Sequence, residues 1–199
     1  MPENPIDSTD PINLFNQWLQ QEVAQSRSTV PQACCLSTLG TNGYPNARFV
    51  SLKTVHNGAF IITGGIKAQK GIELQQHPKA ALTFWFDNTQ RQVRIQGNAT
   101  PVSEQTAARY FAERKVAAKV VSLISQQSQP LVSPAALEQQ FNQTLPQYQH
   151  KPVPKPAGFG GFAIEPVAIE LLAFEQTRLH LRQLFTKTTT GWQHSYLQP

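Results

Sequence analysis

The sequence predicts a mainly β protein with flanking helices, built as an antiparallel barrel or sandwich. Three observations carry this. Short segments of alternating or apolar character, such as "NARFVSLKTV" and "RQVRIQGNATPV", recur between turn signals. Turn chemistry, including the Asn-Gly of "TNGYP" and the "DNT" stretch, separates them at hairpin distance. At 199 residues, 40% hydrophobic and 15% charged, the chain suits one domain with a sizeable core and is not disordered in composition.

The elements follow in order. "PINLFNQWLQQEVAQS", residues 11–26, is expected to be an amphipathic helix with Asp10 as N-cap and Pro11 in its first position. It belongs to an N-terminal helical segment, 1–28. "ACCLSTLG" reads as a strand, "NARFVSLKTV" as its hairpin partner and "GAFIIT" as a third strand. "GGIKAQKGIELQQHP" changes character, with a glycine pair, basic residues and a short helix stopped by Pro78. "AALTFWF" is a buried-type strand. "RQVRIQGNATPV" alternates and places Gln92, Arg94 and Gln96 on one face.

A helical insertion is expected over 103–146. Ser103 caps a helix to about residue 113, and Tyr110 and Arg114, four apart, share its face. Further helix is expected in 115–125 and 134–144. The proline- and glycine-rich stretch 150–161 reads as a surface linker, with "GFGGF" as a turn. "FAIEPVAIELLAF", "TRLHLRQLF" and "GWQHSYLQP" close the chain as strands. In a strand over 177–185, Arg178, His180 and Arg182 form a row on one face.

The net charge of +5 favours anionic partners and says nothing of fold. The polar, acidic opening "MPENPIDSTD" is unlike a signal peptide. No apolar run approaches membrane-spanning length, so a cytoplasmic chain without a membrane partner is expected. Cys34 and Cys35 would face opposite ways in a strand and read as structural thiols. The five histidines lack metal-ligand spacing and there is no CxxC, so no metal is expected.

Several segments have the chemistry of an anion site. "TGGIKAQKG" offers backbone N–H groups, lysines and a following helix N-terminus. A solvated loop is the plain alternative, since it matches neither the Walker pattern nor GxGxxG. Arg48 and Lys53 are five apart and reach one site only through a bulge or a strand end. A tyrosine hydroxyl beside a guanidinium suits phosphate.

In order, the basic strand, the Thr-Gly-Lys loop, "RQV", the Tyr-x-x-x-Arg segment, the Gln-Ser pair and Arg-x-His-x-Arg resemble the pyridoxine/pyridoxamine 5′-phosphate oxidase family. The resemblance runs from about residue 30 to the final "LQP". It implies an FMN-binding split β-barrel, and a homodimer with the flavin at the subunit interface. By similarity, Arg48, Lys53, Ile62, Thr63, Gln69, Lys70, Gln92, Gln127, Ser128 and Arg182 bind FMN. Lys53, Tyr110, Arg114, Arg178 and His180 bind substrate, and Arg178 and His180 lie over its reacting part. The implied reaction oxidises pyridoxamine 5′-phosphate or pyridoxine 5′-phosphate to pyridoxal 5′-phosphate. O2 is reduced to H2O2 in the process.

Four positions depart from the family pattern. Leu172 stands where a tryptophan is usual, and Leu181 where an acidic residue is. Ala118 replaces a serine of the substrate clamp, and Gln69 an arginine. The alternatives are a related flavin oxidase with another substrate, of the phenazine-precursor type, and a non-enzymatic flavin-binding protein. A nucleic-acid-binding barrel is not expected, because the aromatics of "FWF" sit in an apolar strand and the basic residues are scattered.

Overall fold

Asp10 accepts a hydrogen bond from Ile12 N–H and Pro11 occupies the first turn, so helix α1 (Pro11–Gln25) begins as its sequence predicts. The structure, a computed structural model, describes residues 10–199. The start of the expected 1–28 segment therefore lies outside the described residues. Eight strands follow in antiparallel order: β1 (Ala33–Leu39), β2 (Pro45–His56), β3 (Ala59–Gly65), β4 (Lys79–Phe86), β5 (Arg91–Pro101), β6 (Phe159–Ala173), β7 (Leu181–Lys187) and β8 (Trp192–Leu197). The sheet runs β3-β2-β1-β4-β5-β6-β7-β8, and β3 also pairs with β6. That pairing closes six strands into a barrel and leaves β7 and β8 as an extension.

The fifteen-residue β6 makes both connections. Its first residues pair with β3 (Phe159↔Gly65 through Ile164↔Phe60), and its last with β7 (Ala168↔Thr186 through Ala173↔Leu181). Between them Pro166, which has no N–H to give, sits at a register shift opposite Gly97 of β5.

The barrel interior is filled by one side of each strand and by α1. Leu14, Phe15 and Trp18 of α1 join Leu36, Leu52, Phe60, Phe84, Val93, Ile95, Ile164 and Ile169 in one core. The Phe15 ring meets Phe60 and Phe84 edge-on, each at 4.9 Å. Burying a side chain of this size stabilises by roughly 1.5–3 kcal/mol, and Phe15→Ala would cost about 3–5 kcal/mol. Glu22 ties the far end of α1 to the β4–β5 turn. Its carboxylate accepts from the backbone and side chains of Asn88 and Thr89.

Helices α2 (Gln69–Gln76), α3 (Glu104–Ala112), α4 (Val116–Ile124) and α5 (Pro134–Thr144) flank the barrel, with a 3-10 turn at Leu145–Tyr148. Phe111, Val120, Val153 and Phe159 form a second apolar cluster beneath them.

Four sequence expectations are corrected. "GFGGF" is not a turn, because Phe159, Gly160 and Gly161 begin β6. The glycines serve close approach: a Cβ on Gly160 would lie 2.6 Å from Ile66 Cγ2, and one on Gly161 2.4 Å from Ile62 O. Val153, within the expected surface linker, is buried. Tyr110 and Arg114 do not share a helix face. The helix ends at Ala112, and the break lets α4 bring Val120 onto Phe111 and Phe159. Arg114 lies in the break with its guanidinium over the Phe159 ring, 5.3 Å from its centre.

The fourth correction concerns the basic row. β7 starts only at Leu181, and Arg178 has φ +67°, in the left-handed region that strands exclude. Residues 175–180 form a turn. Arg178 N–H donates to Glu175 O at 3.1 Å, and Glu175 N–H donates to His180 Nδ1 at 3.0 Å. Arg178, His180 and Arg182 are therefore not a strand row.

Candidate cofactor and substrate site

Thr63, Gly64 and Gly65 end β3, and the chain turns into α2 within a few residues. No side chain caps α2, so its first N–H groups are left for a partner from elsewhere. Gln127 and Ser128 supply part of that partner from the α4–α5 loop. Gln69 N–H donates to Ser128 Oγ at 3.3 Å, and Lys70 Nζ to Gln127 Oε1 at 2.8 Å. Burial, and then the charge of Arg48, hold the Lys70 ammonium below the usual lysine range. The structure thus brings Thr63, Gln69, Lys70, Gln127, Ser128 and Arg48 to one place from four parts of the chain. Thr63 Oγ1 is buried there without a hydrogen-bond partner.

Arg48 is fixed by a carboxylate that the sequence reading missed. Glu73 of α2 is fully buried, at 0% exposure. It accepts from Gln69 Nε2 at 2.9 Å, from Asn46 Nδ2, from Thr38 Oγ1 and from Arg48 Nη2 at 3.0 Å. Arg48 Nη1 also donates to Thr38 Oγ1. Burial pushes the Glu73 carboxyl up, but the Thr38, Gln69 and Asn46 hydrogen bonds and the Arg48 charge outweigh it and hold it below its ordinary value. Its sequence signal is a lone acid on the packed side of "QKGIEL", beside apolar Leu74.

Lys53 occupies a bulge. β2 and β3 pair Leu52 with Ile62 and Thr54 with Ile61, so Lys53 has no partner in the ladder. This is the irregularity that the odd Arg48–Lys53 spacing requires. Burial, then the nearby Arg114 charge, lower the Lys53 ammonium against a smaller opposing effect of Glu113. Burial also lowers Arg114, whose Nε is enclosed without a partner. Arg114 Nη2 reaches only the carbonyl of Ala118, at 3.4 Å. Tyr110 is buried against Ala59 and Ile61. Ile62, an expected cofactor residue, has its side chain in the barrel core and its backbone in the ladders with β2 and β6.

The remaining expected residues form a second set. Gln92 of β5 pairs with Leu172 of β6, which pairs with Arg182 of β7, so all three share a sheet face. Arg182 donates from Nη2 to Glu170 Oε1 at 2.7 Å, and Arg94 to Glu170 Oε2 at 3.1 Å. The His180 ring lies 4.8 Å from that of Phe174, which in turn meets Trp85 edge-on at 5.2 Å. Glu170 was also missed; an acid inside the apolar run "IELLAF" is its signal. Among the described residues, no hydrogen bond or ion pair joins this set to the Thr63–Lys70 and Lys53–Arg114 set.

A cleft of about 830 Å3 beside β3 and α3 includes Tyr110 but none of Thr63, Lys70, Gln127, Ser128, His180 or Arg182. A cluster of metal-ligating side chains is absent among the described residues, and no described helix is long and apolar enough to cross a membrane.

Comparison with known proteins gives the family. Residues 20–148 match the family model "Pyridoxamine 5′-phosphate oxidase", and residues 159–199 match "Pyridoxine 5′-phosphate oxidase C-terminal dimerisation region". The chain belongs to the pyridoxamine 5′-phosphate oxidase family. A relative named pyridoxine/pyridoxamine 5′-phosphate oxidase from Legionella pneumophila (strain Lens) is 34% identical over 190 residues, covering 96% of this chain and 88% of its own. One of the same name from Rhodopseudomonas palustris (strain HaA2) is 38% identical over 192 residues, covering 96% and 90%. The crystal structure of PhzG from Burkholderia lata 383, in complex with tetrahydrophenazine-1-carboxylic acid, superimposes with TM-score 0.91 at 28% identity, covering 100% of this chain and 97% of that one. An FMN-binding, pyridoxamine 5′-phosphate oxidase-related protein from Nostoc punctiforme shares the fold, with TM-score 0.77 at 17% identity, covering 94% and 96%. The split-barrel expectation therefore holds, and family membership gives an oxidoreductase of the pyridoxamine-phosphate oxidase type.

Proposed function

We propose that this chain is an FMN-dependent oxidase that converts pyridoxamine 5′-phosphate or pyridoxine 5′-phosphate to pyridoxal 5′-phosphate, with O2 reduced to H2O2. One observation carries the reading. Among the described residues, the two buried side-chain polar atoms left without partners are Thr63 Oγ1 and Arg114 Nε, one in each expected phosphate site. Buried polar groups ordinarily find partners, and an orphan in a cationic setting fits an anion that completes it.

The residues present fit FMN. Thr63 Oγ1, the uncapped start of α2, Lys70 and Ser128 would hold its phosphate, with Arg48 beside them. Bound FMN supplies the redox chemistry, taking a hydride equivalent from the substrate carbon outside the ring and passing the electrons to O2. Lys53, Arg114 and Tyr110 would hold the substrate phosphate, and so fix the ring's distance from the cofactor. Burial lowers both Lys53 and Arg114, the Arg114 charge lowers Lys53 further, and a phosphate dianion offsets these costs.

His180 accepts a backbone N–H at Nδ1, so its neutral ring carries the proton on Nε2. In this role it donates a hydrogen bond to substrate and does not abstract a proton. We further propose that the chain works as a homodimer in the cytoplasm. Residues 159–199 match a dimerisation region, and the second set of residues would then serve the partner's site.

A second reading keeps the flavin and changes the substrate. The PhzG likeness favours it, as does Ala118, which offers no hydroxyl beside Arg114. The test is the visible spectrum of the FMN-reconstituted protein without oxygen. Bleaching by either phosphorylated pyridine supports the proposal. A flavin that stays oxidised with both refutes this substrate, and failure to take up FMN refutes the flavin.

A further inference from the structure

Glu73 is not itself an expected ligand residue, yet it hydrogen-bonds two that are, Arg48 and Gln69. Both oxygens are used. Oε2 takes Thr38 Oγ1 and Arg48 Nη2, and Oε1 takes Asn46 Nδ2 and Gln69 Nε2. Those partners lie on β1, β2 and the first turn of α2. One side chain therefore locks the helix that carries Gln69 and Lys70 onto the strands that carry Arg48. We infer that Glu73 is a positioning residue for the cofactor phosphate, setting Arg48 and the start of α2 in the arrangement that receives the anion. The inference rests on the flavin reading above.

Two effects compete when Glu73 is changed. Removing a negative charge near an anion site favours anion binding by Coulomb attraction. Losing the acceptor leaves Arg48 and three further donors, Thr38, Asn46 and Gln69, without a fixed partner. The second effect dominates, because the Glu73 charge is already opposed by Arg48 at 3.0 Å and adds little field of its own. Glu73→Gln isolates it. With its NH2 toward Arg48 the amide opposes a guanidinium; with its NH2 toward Asn46 and Gln69 those amides must turn to offer their oxygens, and Arg48 keeps only an uncharged acceptor. The shape is kept and the clamp is broken.

The experiment is FMN binding to the apoprotein, followed by quenching of flavin fluorescence, in a double-mutant cycle of Glu73→Gln and Arg48→Ala. Phosphorus NMR of bound FMN and thermal unfolding of each apoprotein accompany it. If Glu73 acts through Arg48, Glu73→Gln weakens FMN by about tenfold or more in the wild-type background and by much less once Arg48 is absent. The phosphate resonance also moves. Fully additive losses, or an unchanged affinity with only a lowered melting temperature, overturn the inference and leave Glu73 a structural residue. Should Glu73→Gln fail to fold, Glu73→Asp keeps the charge but draws the carboxylate back from Arg48 by one methylene; an unchanged FMN affinity there overturns it equally. A wild-type protein that binds no FMN overturns the flavin reading itself, and this inference with it.

Discussion

Arg114→Met separates substrate binding from both cofactor binding and stability. In the free protein the Arg114 Nε is buried without a partner, a penalty of about 1–3 kcal/mol. The guanidinium over Phe159 returns roughly 0.5–2 kcal/mol, and the 3.4 Å contact with Ala118 O is too long to add much. Methionine keeps the apolar stem and a polarisable group on Phe159. It also removes the repulsion that lowers Lys53. The apoprotein melting temperature should therefore stay unchanged or rise. With substrate phosphate present, the arginine forms at least one charge-assisted hydrogen bond worth about 1.5–3 kcal/mol. Its loss should raise the substrate KM roughly ten- to 150-fold. FMN affinity should move little, because the expected FMN phosphate lies with Thr63 and Lys70 and not with Arg114. The assay is steady-state oxidation of pyridoxine 5′-phosphate beside flavin fluorescence titration and calorimetry. Equal losses for FMN and substrate, or a drop in melting temperature like that of a core deletion, would refute the placement of Arg114 at the substrate phosphate.

Ala118→Ser adds a hydroxyl beside the Arg114 fork; it should lower KM by up to about tenfold for a phosphorylated pyridine and leave it unchanged for a substrate without phosphate, as steady-state kinetics would show. For Glu22, burial raises the carboxyl but the Asn88 and Thr89 hydrogen bonds bring it below the ordinary value of 4.5. Its folded pKa is depressed, so its contribution is full above that value and lost as pH falls through the folded pKa. Acid unfolding monitored by circular dichroism should be shallower in Glu22→Gln, which is already destabilised at neutral pH. Burial, then the Cys35 charge, push the Cys34 thiol up to about 12. Iodoacetamide at neutral pH should spare Cys34 in the native protein and modify both cysteines after denaturation, as read by mass spectrometry.

Much of the barrel was legible because its signals are local. Asp10 and Pro11 start α1, Ser103 caps α3, and "TNGYP" turns β1 into β2, all within a few residues of sequence. The failures share a cause. Arg178-x-His180-x-Arg182 alternates as a strand should, but alternation is blind to a left-handed residue and to an imidazole that hydrogen-bonds its own turn. "GFGGF" looks like a turn from composition. What fixes it is the approach of Ile62 and Ile66 from nearly a hundred residues away. Glu73 and Glu170 follow the same logic at the site. The basic residues drew notice because they bear the chemistry that a phosphate needs. The acids that hold Arg48 and Arg182 in place were invisible, since their partners come from other strands. A cation aimed at a ligand must be fixed before the ligand arrives, and a buried carboxylate fixes it only if other donors cover the rest of its oxygens. Glu73 meets that condition with Thr38, Asn46 and Gln69; Glu170 meets it with a second arginine, Arg94. The two sites thus reach a net positive charge by different routes. Arg48 and Glu73 cancel and leave Lys70 as the cation near the phosphate loop, whereas Arg94, Arg182 and Glu170 together keep one positive charge on the β5–β7 face, where a reduced, anionic flavin would need it.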